Sequence, residues 1–190
     1  MQLQQFAGIR SGLVITRKQA KKPEESACTY KLLNLKAVTD SGGIDLNALL
    51  PFHATEQLAD HYLTHPGDII VRISEPYTAV CITDATAGLL VPSHFVIVRV
   101  DAAKALPEYI AWYLNRDRIR KQFRLSCSGT LLQIKPSTVA GSEIKLPDLE
   151  KQRQIVRLNQ LAQAELALLE KQLATKRLYY KKLIEKINRM

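Results

Sequence analysis

A cluster of basic residues between positions 116 and 124 supports the first chemistry that this sequence suggests, the neutralisation of phosphate. Its five positive charges are opposed by a single acidic residue. The five are Arg116, Arg118, Arg120, Lys121 and Arg124. On a helix, Arg116, Arg120 and Arg124 share one stripe, while Ile119 and Phe123 anchor another side. Such a stripe can contact the phosphates of a nucleic acid, and a solvated helix face is the alternative interpretation.

The stretch RLSCSGTLLQIKP, residues 124–136, places short polar groups directly after that cluster. Phosphate contacts position a protein on a nucleic acid, whereas base edges are read by short polar side chains and amides. Gly129 permits a tight turn and a close approach of the backbone. The candidates for contacts near the bases are Ser128, Gly129, Thr130, Gln133 and Lys135.

A second basic group lies in a loop after the first predicted strand, in the stretch RKQAKKPEES. It offers further candidates for phosphate contacts, namely Arg17, Lys18, Lys21 and Lys22. A solvated loop explains the same charges equally well.

Catalytic and metal-binding patterns are missing from the sequence. It contains neither a Walker-type phosphate loop nor a GxGxxG motif. His61 and His65 have the i, i+4 spacing of two metal ligands on one helix face, yet no third ligand follows them. We therefore expect surface histidines, no metal site, no catalytic residue and no bound cofactor in this chain.

The elements that would position these groups include both strands and helices. β-branched runs predict strands at 68–74, 77–83 and 94–100, with further strands at 12–17 and 30–38. Residues 51–63 fit a short helical or irregular segment. From Pro107 the pattern becomes helical, and Asn115 and Asp117 divide it into two short helices, the second capped by one of them. The prediction is an α+β domain with mixed or antiparallel strands and short helices.

A long helix follows, because no Gly or Pro occurs from Glu150 to the end of the chain. Its heptad frame leaves a mostly apolar stripe, broken by Asn159 and Lys176. The candidate dimerisation residues on that stripe are Ile155, Asn159, Ala162, Leu166, Leu169, Leu173, Tyr180, Leu183 and Ile187. A helix of this length, about 60 Å, exceeds the span of a single small domain. We expect a partner helix, and packing against its own domain is the alternative.

Composition bounds the remaining possibilities. The chain has 190 residues, a formal net charge of +9 and an isoelectric point near 9.5, which suggests a polyanionic partner. However, residues 150–190 contain 10 basic and 4 acidic residues, so most of the excess lies on the long helix. Cys28, Cys81 and Cys127 form no CxxC pair or disulfide framework, and no signal peptide or apolar membrane span is evident. We expect a cytoplasmic protein.

Several motifs in a fixed order resemble the specificity (S) subunit of Type I restriction-modification enzymes, over nearly the full chain. They are YKLLNLKAVTDSGGID, HPGDIIVRIS, PEYIAWYLNRDRIRKQF, CSGTLLQIKPSTVAGSEIKLPDLEKQRQIV and the heptad helix. One departure is the turn EPYT, where relatives often have glycine. Glu75 in that turn would repel a phosphate, so Tyr77 and Thr78 are weaker candidates for DNA contacts.

The resemblance implies a target recognition domain at 1–148 and a spacer and dimerisation helix at 149–190. S subunits usually carry two such units in tandem, so this half-length chain would restore the pair by forming an antiparallel homodimer that binds double-stranded DNA. Methyl transfer with S-adenosylmethionine would belong to modification subunits, and ATP- and Mg-dependent cleavage to restriction subunits. Two alternatives stay open: a scaffold or inhibitor that associates with a complete S subunit without binding DNA, and the recognition end of an enzyme.

Overall fold

The computed structural model of the chain describes residues 1–20, 22–40, 42–127 and 132–189. The chain divides into two compact units, Met1–Arg153 and Gln154–Met190, which are described separately below. Antiparallel strands and short helices occur in the first unit, and a long helix extends into the second. The predicted α+β class is therefore confirmed.

The described residues contain six strands and four α-helices. The strands are β1 (Ala7–Ser11), β2 (Cys28–Leu32), β3 (Leu50–Ala54), β4 (Asp68–Arg72), β5 (Ala79–Cys81) and β6 (Phe95–Val100). The α-helices are α1 (Pro107–Leu114), α2 (Asp117–Ser126), α3 (Pro136–Ala140) and α4 (Leu149–Asn188). Short 3₁₀ turns occur at Leu3–Gln5, Ile15–Arg17, Pro23–Glu25, Leu46–Ala48, Asp60–Tyr62 and Asp84–Thr86.

A four-stranded antiparallel sheet in the order β1-β6-β4-β5 forms the centre of the first unit. Its middle strands β4 and β6 are the β-branched runs that the sequence indicates, and Ile70 lies opposite Ile97 in their register. Both side chains are buried in a core with Phe95 and Leu33. Helix α1 packs over β4 and β5. The sheet therefore provides the rigid base on which the helices are held.

The N-terminal part of the chain differs from the sequence prediction. Instead of one strand at 12–17, strand β1 ends at Ser11 and a 3₁₀ turn follows at Ile15–Arg17. Beyond Ser11 the chain stays hydrogen-bonded to the segment before β6, since the amide of Leu13 donates to the carbonyl of Val91 at 2.8 Å. At Gly12 an added Cβ would lie 2.2 Å from the backbone oxygen of Pro92, so no larger residue fits at this close approach.

Residues 51–63 also differ from the helical or irregular segment that we expected. Leu50–Ala54 forms strand β3, which pairs with β2 so that Phe52 lies opposite Tyr30. Phe52 is buried in a second apolar cluster with Leu58 and Leu90. Burial of this aromatic ring in a non-local cluster decides the local structure, which the short sequence pattern does not reveal.

Helix α4 begins inside the first unit. There Gln152 is fully buried: its Oε1 accepts a hydrogen bond from the Leu106 amide at 2.9 Å, and its Nε2 donates one to the Pro147 carbonyl at 2.9 Å. This pair of bonds fixes the first turn of α4 to the loop before α1. The second unit, from Gln154 onward, is the remainder of the helix. No helix within the described ranges is long and apolar enough to cross a membrane.

Candidate nucleic-acid interface

Helix α2 carries the basic cluster and is oriented by two buried side chains. Ile119 and Phe123 are 4% and 2% exposed and face the core of the first unit. Arg118 and Lys121 are exposed on the other side of the helix. The amphipathic pattern that the sequence indicates is therefore present, and it decides which cations can reach a ligand.

The side chains of Arg116, Arg120 and Arg124 all make contacts with other residues of the chain. Arg116 precedes the first turn of α2, and its guanidinium carbon lies 5.5 Å from the ring centre of Trp112 and 5.1 Å from that of Tyr113. Stacking on two aromatic rings holds the guanidinium in place. Arg116 itself remains exposed, so its outer edge is still available for a phosphate.

Arg120 contributes to the packing of the helices on the sheet. Its Nη2 donates to Oδ1 of Asn115 at 2.9 Å, and its Nε is buried without a hydrogen-bond partner in the part of the chain that the structure describes. Asn115 also accepts from the amide of Ala79 at 2.9 Å and donates to its carbonyl at 2.7 Å. Ala79 belongs to the edge strand β5, so the Asn115 side chain provides hydrogen-bond partners for backbone groups at the edge of the sheet. Asn115 is also the residue at which α1 ends.

The predicted cap of α2 takes a different form. Its N-cap residue is Arg116, and no side chain provides a cap hydrogen bond. The helix does break between Asn115 and Asp117, as the sequence indicates. Asn115 serves the sheet edge instead, because its amide is committed to Ala79.

Arg124 forms an ion pair with Glu75 in the turn between β4 and β5. Glu75 was expected from the sequence to repel a phosphate, and in the structure its charge is paired with that of Arg124. Both side chains are partly exposed, so the pair itself contributes little to stability. Its effect is to link the last turn of α2 to the β4–β5 turn.

Tyr77 in the same turn connects the two stretches that border residues 128–131. It is fully buried with a φ of 57°, an unusual backbone conformation for a large residue. Its hydroxyl lies 3.4 Å from the Sγ of Cys127 and donates to the carbonyl of Leu132 at 3.3 Å. Burial and the hydrogen bond with Cys127 raise the pKa of Tyr77 to about 12. Because Tyr77 is fully buried, its side chain is not presented to solvent.

The stretch after residue 131 is anchored to the end of strand β4. The amide of Ile134 donates to the carbonyl of Ile73 at 2.9 Å, and Gln133 forms an antiparallel bridge with Ser74. Gln133 and Lys135 are exposed on either side of buried Ile134. The other three candidates in this stretch, Ser128, Gly129 and Thr130, lie outside the described residues.

Sequence reasoning missed one cation in this region. Arg72 closes strand β4, is partly buried, and donates from its Nε to the Oγ of Ser74 at 3.1 Å. Ser74 pairs in turn with Gln133. The signal was present in the motif GDIIVRIS, where the run of buried residues ends at this arginine.

The N-terminal basic loop packs on strand β3. The amide of Ala20 donates to the carbonyl of His53 at 2.8 Å, and Lys18 forms an ion pair with Glu56. Arg17 and Lys22 are exposed, while Lys21 lies outside the described residues. Nothing in these contacts connects the loop to α2, so its role in nucleic-acid binding stays a prediction.

A cavity of about 420 Å³ is bordered by a network of charged groups that the sequence did not indicate. Buried Asp68 accepts from the Nε of Arg99 at 2.9 Å and from its Nη2 at 3.1 Å. The same Nη2 lies 2.6 Å from the Nδ1 of His65, whose Nε2 lies 3.1 Å from Asp60. An arginine can only donate, so Nδ1 is the acceptor and the ring proton is on Nε2, facing Asp60.

This network also involves one of the two histidines that have the i, i+4 spacing of metal ligands. His61 belongs to the 3₁₀ turn Asp60–Tyr62 and stacks near Tyr62, whereas His65 is held by Arg99 and Asp60. The two rings therefore do not share one face of an α-helix. Within the described ranges, no three His, Cys, Asp or Glu side chains are grouped so that they could hold a metal ion.

Among the comparisons with known proteins, only the comparison with solved structures finds matches. No model of a protein family matches the sequence, and no curated protein matches it. The HsdS subunit from Thermoanaerobacter tengcongensis is similar in structure, with 19% sequence identity and a TM-score of 0.64 over 94% of this chain. A chain from a structure of the type I R-M system, solved to explain its complex assembly and conformational transition, has 20% identity and a TM-score of 0.59 over 91% of this chain.

The chain covers 43% and 44% of the lengths of those two proteins, less than half of each. The similarity extends over nearly the whole of this chain. The fold is therefore similar to that of part of an S subunit, as the sequence motifs predict.

Proposed function

We propose that this chain is the DNA-recognition subunit of a Type I restriction-modification system. The observation that carries the proposal is the S-subunit-like fold over 94% of the chain. Within that fold, exposed cations and exposed polar side chains lie in consecutive parts of the chain, on α2 and at residues 133–135. Cations supply affinity for phosphates and polar groups supply base readout, so this arrangement suits sequence-specific binding of double-stranded DNA.

The contacts of α2 divide its five cations into two groups. Arg116, Arg120 and Arg124 are held by aromatic rings, Asn115 and Glu75. Arg118 and Lys121 form no ion pair with any described residue and are exposed. We assign the principal phosphate contacts to Arg118 and Lys121, and we assign Arg120 mainly to orienting the helix.

Two copies of the chain would together supply two recognition domains. The chain spans less than half of the S subunits that it resembles, and its α4 exposes many apolar side chains. A homodimer joined through α4 accounts for both features. Because the symmetry of a dimer is mirrored in its binding site, the expected target is a split palindrome.

The chemistry of such a system would be carried out by partner subunits. Modification subunits that hold S-adenosylmethionine would dock on the dimer, and restriction subunits that use ATP and Mg would join through them. The chain itself would be a non-catalytic protein of the cytoplasm. Its contribution is to choose the DNA sequence at which these partners act.

The test is the selection of bound sequences from random duplex DNA, with the chain mixed with a modification subunit. We expect enrichment of a split palindrome with two identical half-sites. No enrichment by a folded, dimeric protein would refute DNA recognition.

The apolar surface of α4 also favours a second candidate function. Its exposed leucines allow the chain to associate with a complete S subunit and act as a scaffold or inhibitor without contacting DNA. Such a chain would form a complex with the S subunit on a sizing column and lower DNA methylation in a reconstituted system. The selection experiment separates the two candidates, since only the first predicts enrichment.

A further inference from the structure

The carboxyl end of strand β4 brings together polar side chains from separate parts of the chain. Arg72 closes the strand, and Ser74, two residues later, pairs with Gln133. The amide of Ile73 donates to the carbonyl of His94 at 3.1 Å. His94 and Gln133 are exposed. This end of the sheet therefore presents polar groups on a backbone that hydrogen bonds hold in place.

The side chain of Arg72 is held at two points along its length. In the register of β4 and β6 it lies opposite Phe95, which is fully buried, so its stem begins next to a fixed aromatic residue. Farther out, its Nε donates to the Oγ of Ser74 at 3.1 Å. Because a guanidinium is planar, these two constraints set the direction of its outer edge.

That outer edge has no partner among the described residues. The two Nη groups of Arg72 form no hydrogen bond or ion pair with any of them. Arg99, the other partly buried arginine of this sheet, is different: its Nη2 donates to Asp68 at 3.1 Å and to the carbonyl of Leu63 at 3.0 Å. Arg72 is thus oriented by the protein, while its strongest donors are left for a ligand.

Helix α2 lies beside this end of the sheet. Arg124 in its last turn forms an ion pair with Glu75, the residue that follows Ser74. The pair neutralises the acidic charge nearest to Arg72 in the sequence. It also fixes the helix to which we assign the phosphate contacts close to an oriented arginine.

We propose that Arg72 reads a guanine in the major groove of the target, with Ser74 as its positioning residue. The inference rests on the sequence-specific DNA binding proposed above and specifies one of its base contacts. An arginine can only donate, and its two Nη groups provide parallel N–H bonds. Guanine is the base that presents two acceptors, O6 and N7, on its major-groove edge.

The held geometry favours a base over a phosphate as the ligand of Arg72. A phosphate contact needs charge within reach, which the exposed and unconstrained Arg118 and Lys121 supply. A base contact needs two donors in a fixed direction. Fixing that direction before DNA arrives reduces the conformational entropy lost on binding, which is the effect of the bond to Ser74.

Selection from random duplex DNA tests this assignment through the base preference itself. The selection is repeated with Arg72→Lys and Arg72→Met, each mixed with a modification subunit and checked for its fold by circular dichroism. We expect the wild-type protein to fix one guanine in each half-site that neither variant fixes, while the other fixed positions stay the same. Lysine keeps the charge but lacks the planar pair of donors, so Arg72→Lys separates base reading from charge.

A modified base identifies the atom that is contacted. The analogue 7-deazaguanine pairs with cytosine but lacks the N7 acceptor. At that guanine in one half-site, it should lower the affinity of the wild-type protein about tenfold, which corresponds to roughly 1.4 kcal/mol. It should not lower the affinity of Arg72→Met further, and fluorescence anisotropy measures both.

Two other variants complete the experiment. Ser74→Ala keeps Arg72 and removes only its orienting bond, so the preference for guanine should fall several-fold while affinity for random DNA is unchanged. This variant tests the inference even where substitution of Arg72 disturbs the fold. The matched control is Arg10→Lys, at an exposed position of β1 in the same sheet, which should select the wild-type motif.

The outcomes separate this inference from the function on which it rests. A wild-type motif that both Arg72 variants reproduce, or one insensitive to 7-deazaguanine at every guanine, would overturn the role of Arg72 and leave DNA recognition in place. A loss of affinity in Arg72→Met that is equal for all duplexes would also overturn it, since a phosphate contact has that effect. If the wild-type protein enriches no sequence, DNA recognition itself is refuted, and this inference with it.

Discussion

Removing two exposed cations of α2 should weaken DNA binding without weakening the fold. The change is the double substitution Arg118→Gln and Lys121→Gln. Both side chains are exposed, and the buried residues Ile119 and Phe123 that hold the helix are untouched. We expect the free energy of unfolding to change by less than about 0.5 kcal/mol, as is usual for surface positions.

The size of the binding effect follows from the release of counterions. Each phosphate contact contributes about 0.9 to the slope of log affinity against log salt, so losing two contacts lowers the slope by about 1.8 per copy of the chain. At roughly 0.1 M salt this is about a 60-fold loss of affinity per copy, similar for specific and random sequences. Fluorescence anisotropy with labelled duplexes at several salt concentrations measures both quantities.

The matched control removes two cations that are already paired with acids. Lys104 lies 3.5 Å from Asp101, and Lys151 lies 3.3 Å from Asp148. The double substitution Lys104→Gln and Lys151→Gln lowers the net charge equally, and it should leave the slope nearly unchanged. If both double variants have the same effect, or if the α2 variant keeps the original slope, α2 is a solvated face and the assignment is wrong.

Three further predictions concern stability and assembly. Gln152→Met, which keeps the volume of the side chain, should lower the free energy of unfolding by about 2 kcal/mol in urea titrations, because two partly buried backbone groups lose their partners. Tyr77→Phe should make the free energy of unfolding less sensitive to alkali. Folding raises the pKa of Tyr77 from 10.0 to about 12. The stabilising contribution of Tyr77 is therefore complete below pH 10 and falls as the pH rises toward 12. Equal losses in both proteins between pH 9 and about 11 would contradict this. Replacing Leu169 and Leu173 with aspartate should give monomers in sedimentation experiments, and a surviving dimer would place the interface elsewhere.

The fold was largely predictable because its strongest signals are local. The β-branched runs became β4, β5 and β6, and the absence of Gly and Pro after Glu150 marks most of α4. Non-local contacts decided the rest. Strand β3 owes its conformation to the burial of Phe52 beside Leu90, which no pattern within residues 51–63 contains.

The candidate interface was predictable in position but not in the role of each residue. Periodicity grouped Arg116, Arg120 and Arg124 in one stripe, whereas in the structure Arg116 precedes the helix and the Nε of Arg120 is buried. It could not reveal that Asn115 and Glu75 would engage two of them, because those contacts depend on the β4–β5 turn lying beside α2. The spacing of residues along the sequence identifies one face of a helix, and only the neighbouring elements show which groups on that face are free.

The net charge of the whole chain likewise does not show which cations are free to contact DNA. The formal charge of +9 suggests a polyanionic ligand, yet residues 150–190 supply most of the excess and carry it on the proposed dimer helix. Salt dependence follows the cations that contact phosphate and not the net charge, so two substitutions on α2 should change it more than the loss of paired cations elsewhere.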